Sequence, residues 1–164
     1  MTAQVIMIKD LKKACGECTA CCSGALGGEA HGHKFFKGRP CFFLTQKGCG
    51  IYEDRPQQPC VSYKCGYLNE AFFPEWMRPD ICGAIATQRV FRYNEKVKAE
   101  DGTESTVERH IPYVHVMEYK GPITGKTILW FFQKYLEGMI PNLMIDLEGG
   151  VHRIGRPDFL AATA

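Results

Sequence analysis

Eight cysteines fall between residues 15 and 65, and a ninth, Cys82, stands close behind them. They open as Cys15-Gly-Glu-Cys18-Thr-Ala-Cys21-Cys22 and continue as Cys41, Cys49, Cys60 and Cys65. Two-residue spacing lets a tight turn aim successive thiolates at one point, with backbone N–H groups left free to bond the sulfurs. A single C-x-x-C serves zinc or a redox pair. Three thiols at successive two-residue spacings form the run that gives bacterial ferredoxins their cluster ligands, the last ligand coming from afar. The expected metal ligands are therefore Cys15, Cys18, Cys21, Cys22, Cys41, Cys49, Cys60 and Cys65. Neighbouring Cys21 and Cys22 diverge, so both do not serve one zinc ion; one of them enters a second site or simply packs.

The metal stays open between a 4Fe–4S cluster and zinc. Cys15, Cys18 and Cys21 meet three corners of a cube more readily than three apices of one tetrahedron, which favours the cluster. Eight thiols also divide into two four-cysteine zinc sites, with Cys41 and Cys49, or Cys60 and Cys65, as second halves. Cys82 lies outside the block and reads as a buried, unligated thiol.

The surrounding charge agrees with such a centre. Net charge over the 164 residues is only +2. Lys12, Lys13, Lys34, Lys37, Arg39, Lys47, Arg55 and Lys64 nevertheless stand in the cysteine segment against Glu17, Glu29, Glu53 and Asp54. Four thiolates around a doubly charged metal centre leave a net negative site that nearby cations stabilise. A nucleic-acid partner calls for a far larger basic excess and is disfavoured. No apolar run is long enough for a membrane span. MTAQVIMIKDLKKAC carries too short an apolar stretch for a signal peptide. The expected location is cytoplasmic, where disulfides are disfavoured and nine cysteines need another explanation.

The elements that must hold these thiols fall into two styles. Residues 22–41 are rich in glycine and read as an irregular loop, with a short helix around 70–77 that Arg78-Pro79 stops. Residues 85–93 and 110–119 alternate as strands, joined by a polar stretch with an Asp101-Gly102 turn signal. Residues 124–137 place Ile128, Phe131, Phe132, Tyr135 and Leu136 at helical spacing, and 143–147 with 151–154 form a second hairpin. The expected fold class is α+β: a loop-rich cysteine-cluster metal-binding half, 1–90, packed as one compact unit on a small helix/hairpin half, 91–164.

The segments Cys15 to Cys22, Gly38-Arg-Pro-Cys41-Phe-Phe-Leu44, Gly48-Cys49-Gly-Ile-Tyr-Glu-Asp-Arg-Pro56, Cys60 and Tyr63-Lys-Cys65 resemble the CxxCxxCC family of zinc- or iron-chelating proteins, the YkgJ-like cysteine cluster proteins. The likeness continues through Arg78-Pro79-Asp80 and fades after about residue 90. Gly66-Tyr67-Leu68 departs from the Trp-Leu that often follows the last family cysteine. The resemblance implies metal chelation by these cysteines. The family also includes flagellin lysine methylases in which an iron–sulfur cluster is implicated, while most small members have no assigned activity.

Other signals are weaker. Ile51 and Tyr52 are expected to cover the centre, and Arg55 to pair with Glu53, Asp54 or a thiolate. His31 and His33 sit where they could offer one ligand, but solvent exposure is the simpler reading where eight thiols are available. Gly121 to Thr127 has one residue too few before Gly125-Lys126 for a phosphate-binding loop, so no nucleotide is expected. Trp130, Phe131, Phe132 and Tyr135 read as core or interface rather than a base-stacking surface. The apolar tail from Phe159 to Ala164 points to packing in an oligomer or larger assembly.

Full thiolate saturation and the lack of an acid–base or nucleophile constellation lean against an enzyme. The leading expectation is a structural or interaction module with a protein partner or a second copy. An iron–sulfur enzyme of methyl- or electron-transfer type stands second, and a zinc-ribbon-like nucleic-acid binder third.

Overall fold

The computed structural model describes residues 13–164, so the N-terminal stretch read above for a leader lies mostly outside it. Helix accounts for 26% and strand for 34%, which makes the fold a mixed α+β one. Its frame is a four-stranded sheet made of two successive hairpins. Strands β5 (Ala84–Lys98) and β6 (Glu104–Glu118) form a long antiparallel hairpin, with Ala84 opposite Glu118 and Lys98 opposite Glu104. Strand β7 (Leu143–Leu147) lies parallel to β6, and β8 (Gly150–Ile154) returns antiparallel to it.

The β5–β6 hairpin is longer than its hydrophobic alternation indicates. Polar residues 94–98 and 104–109 continue the ladder beyond the core, stitched by an Arg109–Glu95 ion pair at 2.6 Å diagonally across the strands. The tip is only 99–103. There Asp101 Oδ1 accepts from the Thr103 N–H at 2.9 Å, and Gly102 takes φ +86.

The parallel β6–β7 pairing requires a crossover, supplied by α3 (Gly125–Leu136), whose N-cap Thr124 accepts from the Thr127 N–H. Phe131 is buried on its inner face, with Ile128, Trp130 and Tyr135 packed alongside. Leu129, Phe132 and Leu136 point outward. A final helix, α4 (Pro157–Ala162), buries Phe159 against the chain's own Tyr113, ring centroids 5.5 Å apart. The tail is thus packed within this chain, and no neighbouring molecule is needed to order it.

Asn142 locks this corner. Wholly buried, it donates from Nδ2 to the Pro112 carbonyl and accepts the Arg156 N–H at Oδ1, each at 2.9 Å. Gly155 leaves the room, since a Cβ there would stand 2.3 Å from Asn142 Oδ1. Asn142→Ala orphans two backbone groups and is expected to cost roughly 2–4 kcal/mol, read as a fall in urea midpoint at unchanged slope.

The cysteine half has more regular structure than its glycine content implies. Strands β1 (Gly28–Ala30) and β2 (His33–Phe35) form one small hairpin, and β3 (Leu44–Thr45) with β4 (Gly48–Cys49) another. The helix expected at 70–77 is instead two pieces: α1 (Gly66–Asn69) precedes it and a single 3₁₀ turn spans Glu75–Met77. Arg78 caps the end of the 3₁₀ turn, and Arg78-Pro79 also starts α2 (Pro79–Cys82), with proline at the first position where its missing N–H costs nothing.

Contacts tie the two halves together. Gly66 sits so close to Phe73 and Ala86 that a Cβ would be 2.9 and 3.3 Å from them. The Tyr63 hydroxyl meets Thr87 Oγ1 at 2.7 Å, and Thr19 Oγ1 meets the Tyr119 hydroxyl at 3.0 Å. One core therefore runs from Ala20 and Cys65 through Phe73 and Met77 to Val116, Phe131 and Ile145, and residue 90 lies within β5.

Candidate metal centre

All eight cysteines of the block line one cavity of about 440 Å³ between the small hairpins and the main core. Lys13, Lys47, Arg55, Lys64 and Arg78 also stand on its wall, and among the described residues no carboxylate does. Ile51 and Tyr52 close part of it. The cysteines are free thiols, and no disulfide joins them.

Local structure aims the thiols in two directions. Cys15 and Cys18 share a turn closed by the Cys18 N–H on the Cys15 carbonyl at 2.9 Å. Cys21 and Cys22 open the wide turn Cys21–Ala25, where Gly24 at φ +103 lets the chain double back. Cys21 and Cys18 pack beside Cys65 on the main core. Cys22 packs beside Cys41 and Cys60 on a satellite core built on Ala30 and Phe35. The Cys41 N–H bonds the Cys22 carbonyl at 2.7 Å, and Cys49 faces Leu44 across β3–β4.

Burial pushes six of these thiols toward the neutral form. It raises Cys21 strongly, with the charge of Cys65 next and those of Cys22, Cys15 and Cys18 after. Cys22 is pushed up to about 12 by burial and then by Cys49, Cys41 and Cys60. Burial also raises Cys15, Cys18, Cys60 and Cys65. Specific groups oppose it: Arg55 acts on both Cys15 and Cys60, Arg78 on Cys15, and the backbone N–H groups of Leu68 and Tyr67 on Cys65. Arg55 is held for this by its Nε–H on the Tyr52 carbonyl at 2.7 Å and by the Tyr52 ring 3.6 Å beneath its guanidinium.

Cys82 lies apart, 4% exposed, its S–H donating to the carbonyls of Met77 and Ala84 at 3.4 and 3.3 Å. His31 and His33 are exposed; His33 stacks on Phe42 at 4.2 Å and His31 bonds the Asp54 carbonyl. Arg78, of the Arg78-Pro79-Asp80 segment, stands on the cavity wall and acts on Cys15, a role that no spacing in the sequence signals. It pairs bidentately with Asp80 at 2.7 and 3.0 Å, and a Cβ on Gly16 would touch its guanidinium at 2.9 Å.

Among the described residues, no three His, Cys, Asp or Glu side chains stand in the arrangement that would ligate a metal ion. The thiols ring a cavity and are not drawn into one ion's shell, where zinc–sulfur bonds would set them about 3.8 Å apart. Ligation of a metal requires the thiolate form, so a site of protonated thiols is not the ligating state. The donor set fits a thiolate-held centre: eight sulfurs, cationic walls and nearby N–H donors. No family model, curated protein or solved structure matches the chain. The likeness to the CxxCxxCC family thus rests on the motif residues alone.

The raised thiols set a pH dependence for the metal-free chain. A folded value above the unfolded one, 9.0 for cysteine, stabilises fully below about pH 9 and is lost as pH climbs toward the 12 of Cys22. Melting temperature of the chelator-treated protein is expected to fall between about pH 9 and 12. Metal-loaded protein, its thiols already deprotonated, should lose less; parallel melts with and without chelator check this.

Proposed function

We propose that this chain is a cytoplasmic metal-binding protein whose cysteines hold an iron–sulfur cluster or zinc, and that the centre shapes an interaction module within a larger assembly. The observation that carries the reading is the sorting of the thiols. All eight motif cysteines reach one cation-walled cavity, whereas the ninth, outside the motif, is a hydrogen-bonded core thiol. Cys15, Cys18, Cys21, Cys22, Cys41, Cys49, Cys60 and Cys65 would hold the metal, which when bound would supply cross-links between loops that share little core. Arg55 and Arg78 would offset the thiolate charge, and the N–H groups of Tyr67 and Leu68 would orient Cys65.

Support for a protein partner comes from α3, where Leu129, Phe132 and Leu136 form an exposed stripe at i, i+3 and i+7. Among the described residues no helix is long and apolar enough to cross a membrane. The reading is tested by purifying the protein without oxygen, recording its visible spectrum and quantifying iron, sulfide and zinc. Brown protein bleached by dithionite, with about four irons per cluster, identifies the iron–sulfur form. Colourless protein with stoichiometric zinc identifies the other, and protein with neither refutes the reading.

A further inference from the structure

We infer that the eight thiols form two separate four-sulfur centres, Cys15, Cys18, Cys21 and Cys65 holding the first and Cys22, Cys41, Cys49 and Cys60 the second. This deepens the metal-binding reading and rests on it. The division follows the packing. Cys18, Cys21 and Cys65 lie on the main core, and Cys22, Cys41 and Cys60 on the satellite core of Ala30 and Phe35. The dividing point is the peptide bond between Cys21 and Cys22, at the head of the turn that Gly24 reverses.

Backbone ties reinforce each set. In the second, the Cys41 N–H bonds the Cys22 carbonyl, the Leu44 N–H bonds the Cys41 carbonyl at 3.0 Å, and Leu44 is the ladder partner of Cys49. Cys60 joins them because its turn, Gln57–Val61, packs on β1, where a Cβ on Gly28 would stand 2.5 Å from Pro59 Cγ. Cys65, five residues on, instead begins α1 and is carried to the main core with Gly66 against Ala86. The thiols acting on Cys22 are led by Cys49, Cys41 and Cys60, whereas Cys65 leads for Cys21. Arg55, which acts on both Cys15 and Cys60, lies where it can offset charge from either centre.

Two centres predict that metal is lost in halves. The test is metal content together with residue-by-residue iodoacetamide labelling of the folded, metal-loaded chain, unmutated and as Cys49→Ala and Cys15→Ala. In Cys49→Ala, half the metal should go, with Cys22, Cys41 and Cys60 labelled and Cys15, Cys18, Cys21 and Cys65 still protected. Cys15→Ala should give the mirror pattern. Should either variant not fold, stepwise chelation of the unmutated chain reads the same division, with labels arriving in two blocks of four. A metal-loaded chain in which Cys65 is released together with Cys60, or in which all eight thiols are released as one, overturns the division and leaves metal binding standing. An unmutated chain without metal, labelled at every motif cysteine, overturns both.

Discussion

Cys65→Ala is expected to lower the melting temperature more than removal of any other single thiol and to strip the metal proposed for Cys65 together with Cys15, Cys18 and Cys21. Cys65 is 6% exposed, belongs to the main core and starts α1. Its loss removes a proposed ligand and also takes a buried sulfur out of the main core. Structural metal binding is worth on the order of 10 kcal/mol, so losing one ligand in four should cost roughly 3–5 kcal/mol. At this chain length that is a fall of about 10–15 °C. Cys82→Ser provides the contrast. A serine hydroxyl can keep the bonds to Met77 and Ala84, so metal content should hold and stability change by about 1 kcal/mol. Calorimetry with metal analysis on both variants checks the pair.

The second large effect is expected at Gly24. Its φ of +103 is one that side-chain-bearing residues rarely adopt, and an added Cβ would stand 2.6 Å from the Phe36 carbonyl oxygen, a backbone atom that cannot swing aside. Gly24→Ala should therefore cost about 3 kcal/mol or more, the sum of backbone strain and a forced main-chain shift. Because Gly24 reverses the chain after Cys22, the damage should fall on Cys22, Cys41, Cys49 and Cys60, leaving Cys65 protected from alkylation. Gly32→Ala is the control: it also has positive φ, +83, but open space where the Cβ would go, so only about 1 kcal/mol of strain is expected.

Much of this frame is legible in the sequence because the signals are local. The apolar spacing from Ile128 to Leu136 gives α3, Glu148-Gly149-Gly150 marks the β7–β8 turn, and Asp101-Gly102 marks the tip of the long hairpin. What escapes is non-local. Nothing in the β7 residues states that they will lie parallel to β6, since alternation encodes burial and not the partner. Residues 94–98 and 104–109 are polar enough to pass for loop, yet the ladder carries them outward as strand.

The cysteines show the same limit. Their spacing identifies the block and sets Cys82 aside, but it suggests Cys60 and Cys65 as a pair. The structure packs them on different cores beside the same cavity: Pro59 docks on Gly28, Gly66 docks on Ala86, and the four residues between Cys60 and Cys65 span the gap. Arg78 is likewise silent in sequence, because its nearness to Cys15 depends on where α2 begins.

The central claim, that the cavity thiols hold metal, is tested most directly by weighing the same oxygen-free preparation under native and denaturing conditions. The account predicts a native mass above the 18.5 kDa of the chain by the weight of its bound metal, or of cluster iron and sulfide, with the excess vanishing on acidification as protons reclaim the thiolates. A native mass equal to that of the bare chain, in protein that is folded and has all its thiols reduced, would contradict it.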